Sequence, residues 1–266
     1  MKKIEKIKLF VNYNEKSEKV ALLLREKLEK NGFLIVEDEF DLGIAVGGDG
    51  SFLRMVKNSN FCSECYYVGV NAGTLGFAQE VGTDSVDEFI KLLVRGDFNY
   101  EEIGVQEVLV RTGDSTSRCF SLNEVVIRDS NLNTIKLDVC IDDVLLEEYA
   151  GDGVLVSTSF GSTAYNLSFG GSIVFNTFHT LQITPIAPLN SKSYRSLINS
   201  VIVPSDKVIR LVPNKDKRNI IVTIDGDNNY YKDVKYVETV IHDKIIKVIR
   251  MDDYNFAKKI NDKFLK

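Results

Sequence analysis

Long apolar runs, excess basic charge, proline and histidine are all scarce in this 266-residue chain. The longest uninterrupted apolar stretches are a handful of residues, far below the roughly 20 that span a bilayer. The first residues, "MKKIEKIKLFVNY", alternate charge with apolar side chains, whereas a signal peptide needs a continuous apolar segment and a small-residue cleavage site. The segment reads as a strand, and the expected compartment is the cytoplasm, with no membrane partner. A net charge of −5 argues against a general attraction to nucleic acid or anionic lipid. Any anionic ligand must be held by local groups. With four prolines and no low-complexity stretch, nothing reads as a linker.

Several catalytic signatures are missing as well. There is no G-x-x-x-x-G-K-[ST] phosphate loop and no G-x-S-x-G elbow, and Leu53 stands where a G-x-G-x-x-G fingerprint needs its last glycine. The two histidines, His179 and His242, lie outside glycine-rich motifs and read as structural. General-base work falls most naturally to a carboxylate. Cys62 and Cys65 form a C-x-x-C, open to a redox pair or half of a zinc site. Cys119 and Cys140 stand alone in sequence and fit zinc poorly, so the four are read as structural or incidental thiols.

What is present is of ordinary globular composition, 44 % hydrophobic and 27 % charged. Residues 7–12 read as a strand. A helix follows with Val20, Leu23, Leu24 and Leu28 on one face, ended by Asn31-Gly32. "FLIV", "LGIAV" and "YYVGV" fit buried strands, with a helix over residues 51–58 between the last two. "SVDEFIKLLVRG" opens with Ser85 and Glu88 in capping-box spacing and closes at Gly96. Strands alternating with helices predict an α/β domain with a parallel sheet over residues 1–98. Residues 99–251 are strand-rich, helical only around Tyr165, and predict a larger, mostly antiparallel β domain. The tail repeats apolar residues at Phe256, Ile260 and Phe264, so a helix over residues 252–266 is expected to pack back on the first domain. A cleft between two such domains is a common ligand site.

Four motifs could carry chemistry. In "GIAVGGDGSF", Gly47 and Gly48 strip side chains where a strand enters a helix, leaving N–H groups to meet an anion. Phosphate needs no aspartate there. Asp49 suits a different role: to accept a proton from an attacking hydroxyl, or to help hold a metal bridging phosphates. "NAGTLGF" offers a backbone-lined wall, with Phe77 able to pack on a ring. In "STSFGSTAYNLSFGG" five of the first seven residues carry hydroxyls, and Tyr165 adds a flat face. That mixture suits a nucleoside. In "LNEVVI", Asn123-Glu124 interrupts a strand at its start, as a turn or as an amide and carboxylate for ribose. Asp152-Gly153 and Asp225-Gly226 are further Asp-Gly pairs, with a tight turn the ordinary reading for Asp225.

Together and in this order, "GGDGSF", "NAGTLGF", "LNEVVI", "DGVLVSTSFGSTAYNLSFGGSIV", "ITPIAPLNSKSYRSLI" and "IDG" resemble the NAD kinase family over residues 43–226. The resemblance implies a fold of the NAD kinase/diacylglycerol kinase type. It implies transfer of the ATP γ-phosphate to the 2′-hydroxyl of the adenosine ribose of NAD, with Mg²⁺ or another divalent ion. On that basis Asp49 is the proton acceptor, Gly48 and Gly50 keep the backbone near phosphates, and Phe77 borders the adenine pocket. Asn123, Glu124 and Asp152 bind NAD, while Thr163, Ala164, Tyr165 and Ser168 line the nucleoside pocket. Ala187 and Tyr194 match a segment that reaches a neighbouring subunit's site in the family, usually a homodimer or homotetramer, and Asp225 joins the cofactor-binding set. The chain departs from the family at Ser51 for threonine, at Ser159-Phe160 for Pro-Thr, and at Ala150 for a basic residue. It also lacks a histidine after Pro188 and another after Asp225.

Two other readings compete. A lipid kinase would share the first loop, but the acidic balance and the "GSTAY" segment speak against it. A non-catalytic nucleotide sensor would bind its anionic ligand more easily without Asp49.

Overall fold

The computed structural model describes residues 3–73, 76–214 and 219–266. The chain forms two compact units, Met1–Ile103 with Lys244–Lys266, and Gly104–Asp243. It crosses between them inside two long strands, Asn99–Thr112 and Val234–Arg250.

In the first unit, β1 (Lys6–Val11), α1 (Glu15–Lys30), β2 (Leu34–Ile35), β3 (Leu42–Gly47), α2 (Asp49–Asn58), β4 (Tyr66–Asn71) and α3 (Val86–Arg95) follow one another. The strands lie in the order β2-β1-β3-β4, all parallel. Residues 247 and 248 pair parallel with Tyr66 and Tyr67 on the open side of β4. The expected boundary at residue 251 thus falls differently, because the last part of that long strand completes the parallel sheet. β3 is buried along its whole length, as a continuous apolar run in a parallel sheet should be. Ile7, Leu24, Leu28, Leu42, Ile44 and Phe89 form the fully buried centre of its core.

Local signals explain most of these helices. Asn14 caps α1 by accepting the Ser17 N–H at 2.9 Å, and Gly32 turns out of it at φ 88°. Gly96, at φ 71°, closes α3 on the Leu92 and Leu93 carbonyls. Two expectations fail. Leu23 is 41 % exposed, because Ala21 and Ser17 complete the buried face of α1 with Leu24 and Leu28. Ser85 makes no capping bond to α3; its hydroxyl turns to Asp84 in the short 3₁₀ turn Thr83–Ser85.

The second unit is antiparallel. One sheet runs Val201–Pro204, Thr180–Ile186, Gly153–Thr158, Glu124–Asp129, Ile220–Ile224, Asp227–Tyr231 in space. Against it pack Ile135–Ile141, Val144–Gly151 and Ile209–Pro213, with Thr116–Ser121 paired to the strand from Asn99. Ile135–Ile141 alternates buried and exposed residues, and Leu137, Val139, Val154, Val156 and Val222 meet in the core. The fold is therefore a parallel α/β domain plus a larger antiparallel β domain. The terminal helix spans Phe256–Phe264, within the expected 252–266, and its Phe256 and Phe264 rings lie 6.3 and 5.1 Å from Phe77 in the same unit. Among the described residues, no helix is long and apolar enough to cross a membrane.

Candidate active site

In the first unit, Asp49 opens α2 and is not a loop residue, since helical geometry starts two residues earlier than expected. Gly48 precedes it in an extended conformation without a side-chain cap. Gly47 is required by packing. Its φ is 151°, and a Cβ there would stand 2.5 Å from Ser51 Oγ. At Gly48 and Gly50 a Cβ would meet nothing within 4 Å beyond the adjoining residues and the helix's own backbone, so packing makes no demand for glycine.

The Asp49 carboxylate is held from the second glycine motif. Its Oδ2 accepts the Phe77 N–H and its Oδ1 the Ala78 N–H, both at 3.0 Å. Gly76 makes this approach possible, because a Cβ there would stand 1.9 Å from Asp49 Oδ1. Thr74 and Leu75 of the same motif lie outside the described residues. Each carboxylate oxygen keeps a second lone pair, so the clamped Asp49 can still accept a proton. The Phe77 amide holds Asp49 while its half-buried ring packs on the terminal helix.

Sequence reasoning missed the support behind this loop. Lys259 of the terminal helix donates to the Gln79 carbonyl at 2.6 Å and to Glu80 at 3.2 Å. Its side chain is 10 % exposed. Burial holds its ammonium below the usual lysine range, while Glu80 and Asp49 pull it upward. Arg250 bridges Glu80 and Glu101 beneath it. A lysine one helical turn from Phe256 was the available signal.

In the second unit, Asp225 organises the Asn123-Glu124 break. It sits at φ 47° and accepts hydrogen bonds from Ser121 Oγ and from the N–H groups of Leu122, Asn123 and Glu124. Burial pushes its carboxyl up, and these donors pull it back. With its oxygens so engaged, Asp225 supports the loop from behind. The Glu124 carboxyl is pushed up to about 8, first by burial and then by the Asp225 charge, against the Tyr165 N–H. Glu124 Oε2 is buried without a partner.

The hydroxyl-rich motif docks on the same break. Thr158 N–H donates to the Asn123 carbonyl at 2.8 Å and Thr158 Oγ1 to that of Leu122 at 2.6 Å. Gly161 is forced, since a Cβ there would meet the Asn123 oxygen at 2.1 Å. The expectation that its hydroxyls face a nucleoside needs correction. Ser157, Thr158, Ser159 and Ser162 are buried and serve the protein: Ser157 binds the Asn123 and Thr158 carbonyls, Ser159 that of Phe178, and Ser162 that of Val174. They knit the loop so that its last residues project. Thr163 and Ala164 are half-buried, while Ser168 and Tyr165 are exposed, Tyr165 at 41 %. Arg128, also unanticipated, donates to the Tyr165 hydroxyl at 3.1 Å and lies over its ring.

Asp152 is exposed on a turn fixed by Tyr149, whose hydroxyl donates to the Ile186 carbonyl at 2.6 Å and accepts the Gly153 N–H at 3.2 Å. Burial pushes that phenol up to about 12. Ala187 is exposed at φ 45°, beside Gly151. Tyr194 is half-buried with the Lys136 ammonium 4.7 Å from its ring centroid.

Comparisons with known proteins bear on the family and the fold. The profile of the ATP-NAD kinase C-terminal domain matches residues 122–250. An NAD kinase of Finegoldia magna is 41 % identical over 97 % of both chains. NAD kinase 2 of Bacillus subtilis is 32 % identical over 96 % of both. Among solved structures, yeast NADH kinase complexed with NADH aligns with a TM-score of 0.88 at 19 % identity, covering 100 % of this chain and 88 % of that one. An Archaeoglobus fulgidus NAD kinase in complex with ATP aligns at 0.72 and 19 %, covering 93 % and 94 %. These two likenesses concern the fold. The two curated relatives, at these identities and over nearly the whole length, decide the family: the chain belongs to the NAD kinases.

Proposed function

We propose that the protein transfers the γ-phosphoryl group of ATP to the 2′-hydroxyl of the adenosine ribose of NAD, giving NADP, and that Asp49 takes the hydroxyl proton. The observation that carries this reading is the Asp49 carboxylate, held at the first turn of α2 by the Phe77 and Ala78 amides. Phosphoryl transfer rests mainly on positioning and charge compensation. A pinned carboxylate serves positioning because its oxygens cannot swing away from the hydroxyl. Gly48 and Gly50, where a Cβ would meet nothing beyond the adjoining residues and the helix's own backbone, let phosphate approach the backbone at the start of the helix.

The nucleoside contacts come from residues 123–168. Tyr165 presents a ring, Thr163, Ala164 and Ser168 surround it, and Asn123 offers its amide. Glu124, protonated at neutral pH by burial, can donate an O–H and accept at Oε2. Asp152, exposed on its fixed turn, meets a polar group of NAD. Asp225 is a positioning residue for Asn123 and Glu124. The active form is a homodimer or homotetramer in the cytoplasm, with Ala187 and Tyr194 serving the neighbouring subunit's site. Leu189, Leu197, Ile198 and Ile202, exposed at 41, 40, 69 and 49 %, support a covered face in that segment.

A divalent ion such as Mg²⁺ belongs with the ATP phosphates, where it would neutralise developing charge. Among the described residues no three of His, Cys, Asp or Glu converge on one point. Mg²⁺ commonly binds through one or two carboxylates plus substrate phosphates, so a dedicated protein cage is not needed.

The test is direct. Protein is incubated with ATP, Mg²⁺ and NAD, and NADP is read with an NADP-specific dehydrogenase. Asp49→Asn should lower kcat by about 10² to 10⁴ with NAD binding retained. Near-normal turnover of folded Asp49→Asn removes Asp49 from the mechanism, and wild-type protein that binds NAD without making NADP overturns the reaction.

A further inference from the structure

Cys62 and Cys65, expected to be structural or incidental thiols, meet in the turn between α2 and β4 with their sulfurs 3.0 Å apart. A disulfide bond is about 2.05 Å long, so roughly 1 Å of approach separates this contact from a covalent one. The turn is built to hold them there. Asn60 and Phe61 both adopt φ 52°, a left-handed pair that folds the chain sharply back after α2. Phe61 is buried at 5 % exposure, and the Phe61 N–H returns to the Val56 carbonyl at 3.0 Å. Tyr67 donates its hydroxyl to the Cys62 carbonyl at 3.0 Å and meets Ser59 Oγ at 2.8 Å. Lys244 holds the Asn60 carbonyl at 3.1 Å, and the Ile245 N–H reaches Ser63 Oγ at 3.3 Å. Cys65 Sγ also lies 3.2 Å from the Phe40 carbonyl oxygen. Such bracing removes the entropy that two free cysteines would lose on joining.

The zinc alternative needs more ligands, and among the described residues no group of three His, Cys, Asp or Glu gathers anywhere. A redox pair needs only what is present. The two thiols differ in access: Cys62 is half-buried and Cys65 is 7 % exposed. In a reducing compartment a disulfide of this kind is transient rather than structural.

We propose that Cys62 and Cys65 form a reversible dithiol–disulfide couple, with Cys62 the attacking thiol and Cys65 the resolving one. The oxidant is a small soluble disulfide. The Cys62 thiolate attacks one of its sulfurs, forming a mixed disulfide and releasing one thiolate. The Cys65 thiolate then attacks the Cys62 sulfur, forming the Cys62–Cys65 bond and releasing the second thiolate. Two protons leave the cysteines, and two electrons pass to the oxidant, which departs as two thiols. A small dithiol reverses the sequence.

The experiment uses the full chain and oxidised glutathione, read by intact mass and peptide mapping. Wild-type protein should lose two hydrogens, yield a linked Cys62–Cys65 peptide, and recover both with dithiothreitol. Cys65→Ser should retain one glutathionyl group on Cys62. Cys62→Ser should react at residue 65 at least tenfold more slowly. A lasting glutathionyl group on Cys62 of the wild type overturns the proposal, as does reaction at Cys119 or Cys140 with Cys62 and Cys65 untouched. The wild-type mass decides the matter even if a variant folds poorly.

Discussion

Gly76→Ala tests whether the second glycine motif exists to seat Asp49. The added methyl would stand 1.9 Å from Asp49 Oδ1 and 2.4 Å from its Cγ. Ordinary carbon–oxygen contacts are about 3.3–3.6 Å, so the conflict is roughly 1.5 Å deep. Asp49 has a short side chain and cannot absorb that by bending. Either the carboxylate rotates out or the loop retreats, and both break the 3.0 Å bonds to the Phe77 and Ala78 amides. Hydrogen bonds to a charged group contribute about 1.5–3 kcal/mol each. Misplacing a reacting group by 1 Å can cost about 10²-fold in rate, or roughly 2.7 kcal/mol of barrier. Gly76→Ala should therefore lower kcat about a hundredfold, depress Tm, and speed amide exchange at Phe77 and Ala78. Gly73, in the same loop, has no heavy atom within 4 Å of its Cβ position, so Gly73→Ala should leave Tm and those amides unchanged. A Gly76→Ala protein with kcat within threefold of wild type and unchanged exchange at both amides would refute the reasoning.

Two further predictions concern the second unit. Glu124 carries a folded-state pKa of about 8 against an ordinary value near 4.5, so its proton is retained on folding. Stability from this group is full below about pH 4.5, declines as pH rises, and is lost through pH 8, an effect on the order of a few kcal/mol. Glu124→Gln stays neutral and should flatten the fall of Tm between pH 6 and 9; parallel Tm–pH curves would show that the carboxyl ionises freely. Tyr165→Ala should raise the KM for NAD more than it lowers kcat, because the exposed ring contributes binding rather than chemistry. An unchanged KM would mean that the ring serves only Phe169 and Arg128.

Much of the molecule is legible without coordinates. The fully apolar "LGIAV", the caps Asn14 and Gly96, and the strand-rich texture after residue 99 are signals carried by neighbouring residues. Where a signal could be satisfied in two ways, reading it alone went astray. Ser85 stands in capping-box spacing yet bonds Asp84, and Leu23 fits the helical period yet faces solvent. The buried hydroxyls of residues 157–162 are the clearest case. A hydroxyl suits a ligand or a carbonyl equally well, and only the partner's position decides.

The sequence by itself determined the family and the two-domain character, because each rests on contiguous motifs and segment patterns that are local. Tertiary structure alone decided how those motifs act on one another. It brought Gly76 against Asp49, Gly161 against the Asn123 carbonyl, Asp225 under the Asn123-Glu124 break, and Lys259 behind the Gln79 carbonyl. Each of these contacts joins residues far apart in the chain, so strand order and packing, rather than local propensity, set them.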